Sequence, residues 1–405
     1  MYEYAIIWEW LSFAARWLHV ITAIAWIGSS FYFIALDLSL QKNPNLPKNV
    51  HGEEWQVHGG GFYHIQKYLV APAELPTHLT WFKWESYATW VSGFALMCIV
   101  YYAGADLYLI DRNLWDVEPW VGILTSIGTI VISYLIYDLL CKSKLGQQPT
   151  LLMVLLYLIL IFAAWGYTQI FTGRAAFLHL GAITATIMSC NVFMVIIPNQ
   201  KVVVADLIAN KTPDPKYGKI AKLRSTHNNY LTLPVIFLML SNHYPLAFGT
   251  EYNWVIASLV FLMGVTIRHY FNSMHARSGK PTWTWAVTII IFLIIMWLST
   301  VPKILNTNIS KIPKSSERFL ESQEFENVQD IILTRCSMCH AEEPGYMGIH
   351  TAPKNVLLET KEQIARYARD IYLQAGRSNA MPPANVSWME KTERALLVKW
   401  YEESL

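Results

Sequence analysis

The sequence predicts an all-α protein, in which a polytopic membrane bundle of about eight transmembrane helices precedes a small soluble all-α domain. Three observations support this fold class. Hydrophobic residues make up 54% of the 405 residues and charged residues only 15%, whereas soluble domains carry about 25% charged residues. Apolar runs of roughly 20 residues, the length that crosses a bilayer, recur through most of the chain. Near residue 305 these runs stop and the chain becomes polar.

The apolar runs define a membrane domain, which we place at residues 1–305. Trp and Tyr cluster at many of the run ends, as an interfacial aromatic belt requires. The polar segment 306–325 indicates a linker. Capping-box patterns at Thr360 and Ser387 predict helices in a soluble domain at 326–405. The expected spans lie near 10–36, 81–101, 118–140, 150–170, 175–198, 230–249, 252–271 and 282–302.

Lys and Arg residues set the expected orientation, because they concentrate in every second loop. The positive-inside rule places those loops in the cytoplasm, so that the N-terminus and the soluble domain lie outside it. A net charge of +2, with no basic patch, excludes nucleic acid as a partner. The lipid bilayer is the partner that this composition predicts. The Lys- and Arg-rich loops are 37–80, 141–149, 199–229 and 268–280.

The sequence C-S-M-C-H, which begins at Cys336, carries the chemistry of the tail. C-x-x-C-H is the attachment pattern for c-type haem. The thiols of Cys336 and Cys339 form thioethers with the vinyl groups, and His340 faces the iron. We expect the metal to be held by His340 and by Met381 of the A-M-P-P stretch, with His350 as a rival sixth ligand. A thioredoxin-like redox pair lacks its βαβ context here, and a zinc site lacks its second Cys/His pair.

Histidines inside or beside the expected spans are functional candidates, because ionisable groups are costly in lipid. Four of them form two pairs, because the members of each pair lie at the same expected depth in the membrane, and each pair could ligate haem b. His179 and His243 form a pair near the outer face, and His227 and His269 form a pair near the inner face. A hydrogen-bonded interior side chain, or an interfacial one, is the alternative for each.

Arg16 and His19 are three residues apart and share one face of the first span. They could hold an anionic or planar substrate, or a haem propionate. A salt bridge to Asp37, Glu85 or Asp138 is the structural alternative.

The first cytoplasmic loop holds H-G-E-E-W-Q-V-H-G-G-G-F-Y-H at residues 51–64. Its three histidines and two glutamates could bind a metal ion. We favour a hydrogen-bonded, irregular loop.

Several long motifs occur together in this chain. They include R-W-L-H-V-I-T-A-I-A-W-I-G-S-S-F-Y-F (16–33), H-G-E-E-W-Q-V-H-G-G-G-F-Y-H-I-Q-K-Y (51–68), W-G-Y-T-Q-I-F-T-G-R-A-A-F-L-H-L-G-A (165–182) and S-T-H-N-N-Y-L-T-L-P-V (225–235). With the tail motif, they closely resemble the bacterial integral membrane urate oxidase family, whose members join an eight-span domain to a cytochrome c. The resemblance implies a multi-pass protein of the bacterial inner membrane with a periplasmic cytochrome domain. The family's haem ligands correspond to Cys336, Cys339, His340 and Met381.

The resemblance also implies the reaction. Family members oxidise urate to 5-hydroxyisourate in purine catabolism, and electrons pass to cytochrome c and the respiratory chain instead of forming hydrogen peroxide. The resemblance implies no substrate residues, so we choose catalytic candidates by chemical type. They are Arg16, His19, His227 and Asn228, with Trp26, Arg174, Asn191 and the rest of the H-N-N-Y group (227–230) as further candidates for binding a planar anion.

Two other functions are compatible with the same residues. A non-catalytic membrane subunit could oxidise quinol and pass the electrons to the tail. A transporter with a redox sensor could use Arg16 and Arg268 as anion contacts. Under the favoured hypothesis the partners are urate and either a respiratory-chain electron acceptor or a soluble cytochrome c.

Overall fold

The computed structural model describes residues 4–47, 49–68, 72, 75–112, 114–300, 313–347, 349 and 352–405. Helices dominate these residues, as expected for an all-α chain. In the first three-quarters of the chain the elements are α1 (Tyr4–Ser39), β1 (Val50–His58), β2 (Gly61–Tyr68), α2 (Trp84–Met97), α3 (Pro119–Lys142), α4 (Pro149–Thr168), α5 (Gly173–Cys190), α6 (Ile197–Ile208), α7 (Pro215–Leu240), α8 (Asn253–His275) and α9 (Trp283–Ser299).

Five helical segments of the described chain are long and apolar enough to cross a membrane. The helices α2, α7 and α9 occupy the other three expected positions. α2 has 14 residues and α9 has 17, and α7 begins with polar turns, so their crossing of the bilayer stays a prediction. The five segments are Ile6–Ser39, Pro119–Lys142, Pro149–Thr168, Gly173–Ile208 and Asn253–His275.

The sixth expected span, 230–249, is displaced along the chain. The helix there is α7, which begins at Pro215 and ends at Leu240. Short 3-10 turns at Ser241–His243 and Pro245–Ala247 follow it. The sequence pattern missed the first half of α7 because this half is polar: Arg224 and His227 face the protein interior, while Lys216, Lys219 and Lys222 are exposed. The apolar-run rule finds only segments that face lipid.

The buried core of this part of the chain is centred on α5. Leu180 and Ile183 of α5 pack with Leu238 of α7 and Val260 of α8 in one apolar cluster. By contrast, the most apolar window of α1 has none of its residues buried. The polar side chains that α5 and α7 turn toward this core, such as His179 and His227, are therefore enclosed by protein and need partners there.

A π-helical turn at Asn191–Ile196 joins α5 to α6. Pro198, in the first turn of α6, has no N–H to donate to the turn before it. Widened turns of this kind occur frequently at functional sites. The turn places Asn191 in the protein interior, where its side chain is fully buried.

Helices α7 and α8 approach closely where Pro234 meets Gly264. A Cβ atom added to Gly264 would lie 2.5 Å from Cδ and 2.7 Å from Cγ of the proline ring. Carbon atoms in ordinary contact are about 3.5–4.0 Å apart. The absence of a side chain at Gly264 therefore sets how closely, and in which register, these two helices pack.

The segment expected as an irregular loop is a β-hairpin, in which β1 and β2 pair antiparallel. Gly59 and Gly60 form the turn with positive φ angles of 61° and 79°, which favours glycine. The hairpin folds back along α1, where Lys67 pairs with Asp37 at 2.6 Å. Within the described residues, no group of three or more His, Cys, Asp or Glu side chains could hold a metal ion.

The C-terminal unit has its own apolar core. Trp400 is fully buried at its centre and donates through Nε1 to the Phe319 carbonyl, 3.0 Å away. Residues 314–320, part of the segment expected as a linker, are helical and pack in this core, while residues 306–312 lie outside the described chain. The helices are α10 (Lys314–Leu320), α11 (Phe325–Arg335), α12 (Lys361–Arg366), α13 (Ala368–Ile371) and α14 (Lys391–Glu403).

The C-terminal unit contacts the helical bundle of the same chain. The Tyr108 hydroxyl donates to the Asp370 carboxylate, with the oxygens 3.1 Å apart. Arg369 bonds Glu9 of α1 at 3.3 Å, and Ile6 packs against the C-terminal core. Two parts of the bundle, α1 and the segment before α3, therefore hold the unit.

Candidate functional site

A buried polar network surrounds one face of α7. Arg224 donates to the Asp138 carboxylate at 2.6 Å and to the Asn191 side-chain oxygen at 3.1 Å. Asn191 in turn donates to the Asn228 side-chain oxygen at 2.9 Å, and Asn228 donates to the Met188 carbonyl at 2.9 Å. The network is stable in the interior because these polar groups satisfy one another.

His227 joins this network through Tyr137, whose hydroxyl lies 2.9 Å from Nδ1 of the imidazole. The same hydroxyl accepts a hydrogen bond from Asn191 at 2.8 Å. Only 2% of His227 is exposed, and Nε2 has no hydrogen-bond partner among the described residues. A buried polar atom without a partner costs about 1–3 kcal/mol, so Nε2 is available to a ligand.

A second network lies on the next face of α7. The Asn229 side-chain oxygen accepts from Arg268 Nε at 3.3 Å and from Asn272 Nδ2 at 2.8 Å. Arg268 also donates to Asn272 Oδ1 at 2.9 Å. Its guanidinium carbon lies 4.1 Å from the centre of the Phe31 ring, within the range of a cation–π contact.

His19 and Arg16 lie in the N-terminal half of α1. Nδ1 of His19 is 3.0 Å from the Thr89 carbonyl, and its ring covers Gly93 of α2. Phe31, which contacts the Arg268 network, is 12 residues beyond His19, or about 18 Å along the helix. The structure therefore brings His227 and Asn228 into one network, whereas the described side-chain hydrogen bonds of His19 go to α2.

His179 is fully buried and hydrogen-bonded at both ring nitrogens. Nε2 is 2.6 Å from the Ser126 hydroxyl and Nδ1 is 2.7 Å from the Ala175 carbonyl. His243 is exposed in the 3-10 turn after α7. His179 is therefore a hydrogen-bonded interior side chain, which is the alternative to a haem ligand.

His269 lies on the exposed face of α8, next to Trp283, with 6.2 Å between the ring centres. Its neighbour Arg268 faces the protein interior. His227 is buried in the bundle, and its ring bonds the Tyr137 hydroxyl. The two members of the inner histidine pair therefore have different surroundings.

In the C-terminal unit, Cys336 follows directly on α11, and Cys339 and His340 continue the turn. The two thiols are free. Burial and the neighbouring Cys339 raise the pKa of Cys336 to about 12. Nδ1 of His340 donates to the Val356 carbonyl at 2.9 Å, which leaves Nε2 as the nitrogen with a lone pair. An axial histidine requires this arrangement.

Met381 is half-buried at the edge of the C-terminal core. Its backbone is held at both ends, since its N–H donates to the Gln374 carbonyl and its carbonyl accepts from Arg394, both at 2.8 Å. Two thiols, a histidine whose Nε2 has no hydrogen bond within the described residues, and a methionine with a fixed backbone fit the donor set of a c-type haem. The rival ligand, His350, lies outside the described residues.

Sequence reasoning did not name Tyr137, Arg224, Phe31 or Asn272 as members of these networks, and it named Asp138 only as a possible salt-bridge partner of Arg16 and His19. Arg224 was assigned to a cytoplasmic loop because α7 was expected to begin near residue 230. The spacing of Arg224 and Asn228, four residues apart on one helical face, is the signal that could have linked them.

Comparison with known families identifies the helical bundle. The family model described as urate oxidase N-terminal matches residues 5–299, which includes both α7 networks and most of the chain. No curated protein and no solved structure matches the chain. Over this length the match is decisive, and the chain belongs to the urate oxidase N-terminal family.

Proposed function

We propose that the protein oxidises urate to 5-hydroxyisourate in the helical bundle and passes the electrons to its C-terminal unit. The buried α7 site carries the proposal, in a chain whose family supports a urate-related oxidation. His227 and Asn228 are buried there among amide and guanidinium groups, which can recognise the carbonyl and N–H edges of a purine.

The reaction sets what the residues must do. Urate and one water give 5-hydroxyisourate, two protons and two electrons, so the site must bind an anion, accept protons and release electrons. His227 is the group for proton exchange, because its Nε2 has no hydrogen-bond partner among the described residues. Asn228 is held by Asn191 and Met188 and would fix the position of the ring. The described side-chain hydrogen bonds of His19 go to α2 and do not reach this network.

In the C-terminal unit, Cys336 and Cys339 would hold haem c covalently, with His340 and Met381 as axial ligands. A haem c held in this way supplies one-electron acceptance at a raised potential. The onward acceptor would be a respiratory-chain component or a soluble cytochrome c. The unit contacts the bundle near Tyr108 and Glu9, which supports transfer between the two parts.

A haem b in the bundle is a separate part of the proposal. If urate binds on the cytoplasmic side, electrons must cross a membrane core about 30 Å thick, and a carrier within the bundle would shorten each step. Coordination by His179 would require it to give up its bond to Ser126. Acid–acetone extraction of the purified full chain separates the two cofactors, since haem b is released and haem c stays with the protein. An extract without haem would remove haem b from the scheme.

The decisive test is anaerobic mixing of the purified protein with urate while haem c absorbance is followed. We expect reduction of haem c together with the formation of 5-hydroxyisourate, detected by mass spectrometry. His227→Gln should slow reduction strongly, while Thr226→Val, on the exposed side of the same helix, should not. Reduction by quinol but not by urate would favour the electron-transfer subunit instead.

A further inference from the structure

Arg268 is a buried cation without a buried anion. It is 5% exposed, and its described hydrogen bonds go to the neutral side chains of Asn229 and Asn272. The other two arginines buried in the described chain, Arg112 and Arg224, each contact a carboxylate at 2.6 Å. Among the described residues, no carboxylate forms a salt bridge with Arg268.

Such an arrangement is costly unless something completes it. Buried charges in proteins are normally paired, because removing an ion from water costs several kcal/mol or more. The Phe31 ring supports one face of the guanidinium, but an aromatic ring offsets only part of the charge. The site therefore favours an anion beside Arg268.

Asn229 provides a second, independent indication of a ligand. Its side-chain oxygen is occupied by Arg268 and Asn272, while its amide nitrogen is buried without a partner in the part of the chain that the structure describes. An N–H donor beside a guanidinium matches an oxygen anion with a neighbouring acceptor. The charge of Arg268 and the amide N–H of Asn229, which both lack a partner among the described residues, therefore lie side by side.

We infer that Arg268 and Asn229 bind the anionic edge of a planar substrate, which is urate if the proposed function holds. Arg268 would bind the deprotonated edge and Asn229 a neighbouring oxygen, while Phe31 faces the guanidinium. Asn229 lies two residues after His227, about 200° around α7, so the anion site faces a different side of the helix from the proton-exchanging group. This assignment also explains why a chain of this family keeps a guanidinium away from carboxylates at this point.

The test measures binding without turnover. Full-length protein is first reduced with dithionite, so that it cannot take electrons from urate, and affinity is measured anaerobically by calorimetry. We expect Arg268→Gln to weaken urate binding roughly tenfold or more, and Arg268→Lys to weaken it less. Hypoxanthine, which is neutral at pH 7, should bind equally to wild type and Arg268→Gln. Arg277→Gln is the matched control, since that arginine is exposed and pairs with Glu54.

Several results would overturn the inference. Unchanged urate affinity in Arg268→Gln is one, and an equal loss for urate and hypoxanthine, which would indicate a structural role, is another. A third is co-purification of phospholipid that depends on Arg268 while urate binding does not, because a lipid phosphate would then be the anion. Asn229→Ala gives a second measurement and should weaken urate binding; because it also removes the acceptor of Arg268 and Asn272, it should lower the unfolding temperature more than Arg277→Gln does.

The outcome for the proposed function is separable. If the wild type binds urate through Arg268 but does not oxidise it, the anion site stands and the proposed oxidation fails. If the wild type oxidises urate and Arg268→Gln does so with unchanged KM, the oxidation stands and the anion site fails.

Discussion

Replacing Gly264 by alanine tests whether the Pro234 contact sets the packing of α7 against α8. The new Cβ would lie 2.5 Å from Cδ of Pro234, at least about 1 Å inside the normal carbon–carbon distance. The proline ring is rigid, so the helices must move apart. Overpacking of this kind costs about 1–3 kcal/mol. A helical Gly→Ala change by itself stabilises by roughly 1 kcal/mol, so the two effects oppose each other.

The matched control is Gly166→Ala in α4, where an added Cβ would meet no atom within 4 Å. We expect Gly166→Ala to leave stability unchanged or raised, and Gly264→Ala to lower it. The unfolding midpoint of the detergent-solubilised protein, followed by circular dichroism, measures both. Adding Pro234→Ala to Gly264→Ala should recover part of the loss, because the clash is then removed. Equal midpoints for the two single variants would refute the reasoning.

The remaining predictions concern the C-terminal unit. Met381→Ala should lower the haem reduction potential, because an axial methionine raises it, and a redox titration with an unchanged potential would argue against Met381. Tyr108→Phe should weaken docking by about 1–3 kcal/mol, seen as faster hydrogen exchange in α13. Burial raises the pKa of the Asp370 carboxyl. Its contribution to docking is therefore complete below the ordinary pKa of an aspartate and is lost as pH rises through the raised pKa. Asp370→Asn should remove this pH dependence of docking. Trp400→Ala should destabilise the unit by about 3–5 kcal/mol in denaturant unfolding, and a smaller loss would contradict its central place in the core.

The order of the helices could be predicted from sequence, because it rests on a local pattern. Apolar length locates a spanning segment without knowledge of its neighbours, and five of the expected spans coincide with helices of that kind. The haem ligation expected from the tail motif stays a prediction; the bond from Nδ1 of His340 to the Val356 carbonyl is compatible with it.

The α7 networks could not be predicted because they depend on packing. Arg224 and His227 occur in a polar stretch whose burial follows from neighbouring helices, and no local signal reveals Asp138 as a partner. The pairing of Asn229 with Arg268 depends on the register set by Pro234 and Gly264, which only the folded bundle defines.

The hairpin at residues 50–68 carried a signal that was available. Its alternating side chains and its glycine triplet favour two strands with a tight turn. The prediction of an irregular loop gave more weight to the histidines than to this alternation.

The contact between the C-terminal unit and α1 has a kinetic consequence. Because Arg369 and Glu9 belong to one chain, docking of the unit onto the bundle is a unimolecular event, so its extent does not change on dilution. A free carrier protein would have to find the bundle again after every encounter. Here the local concentration of the unit is fixed by covalent connection, and docking strength can be tuned by single contacts such as Tyr108 with Asp370.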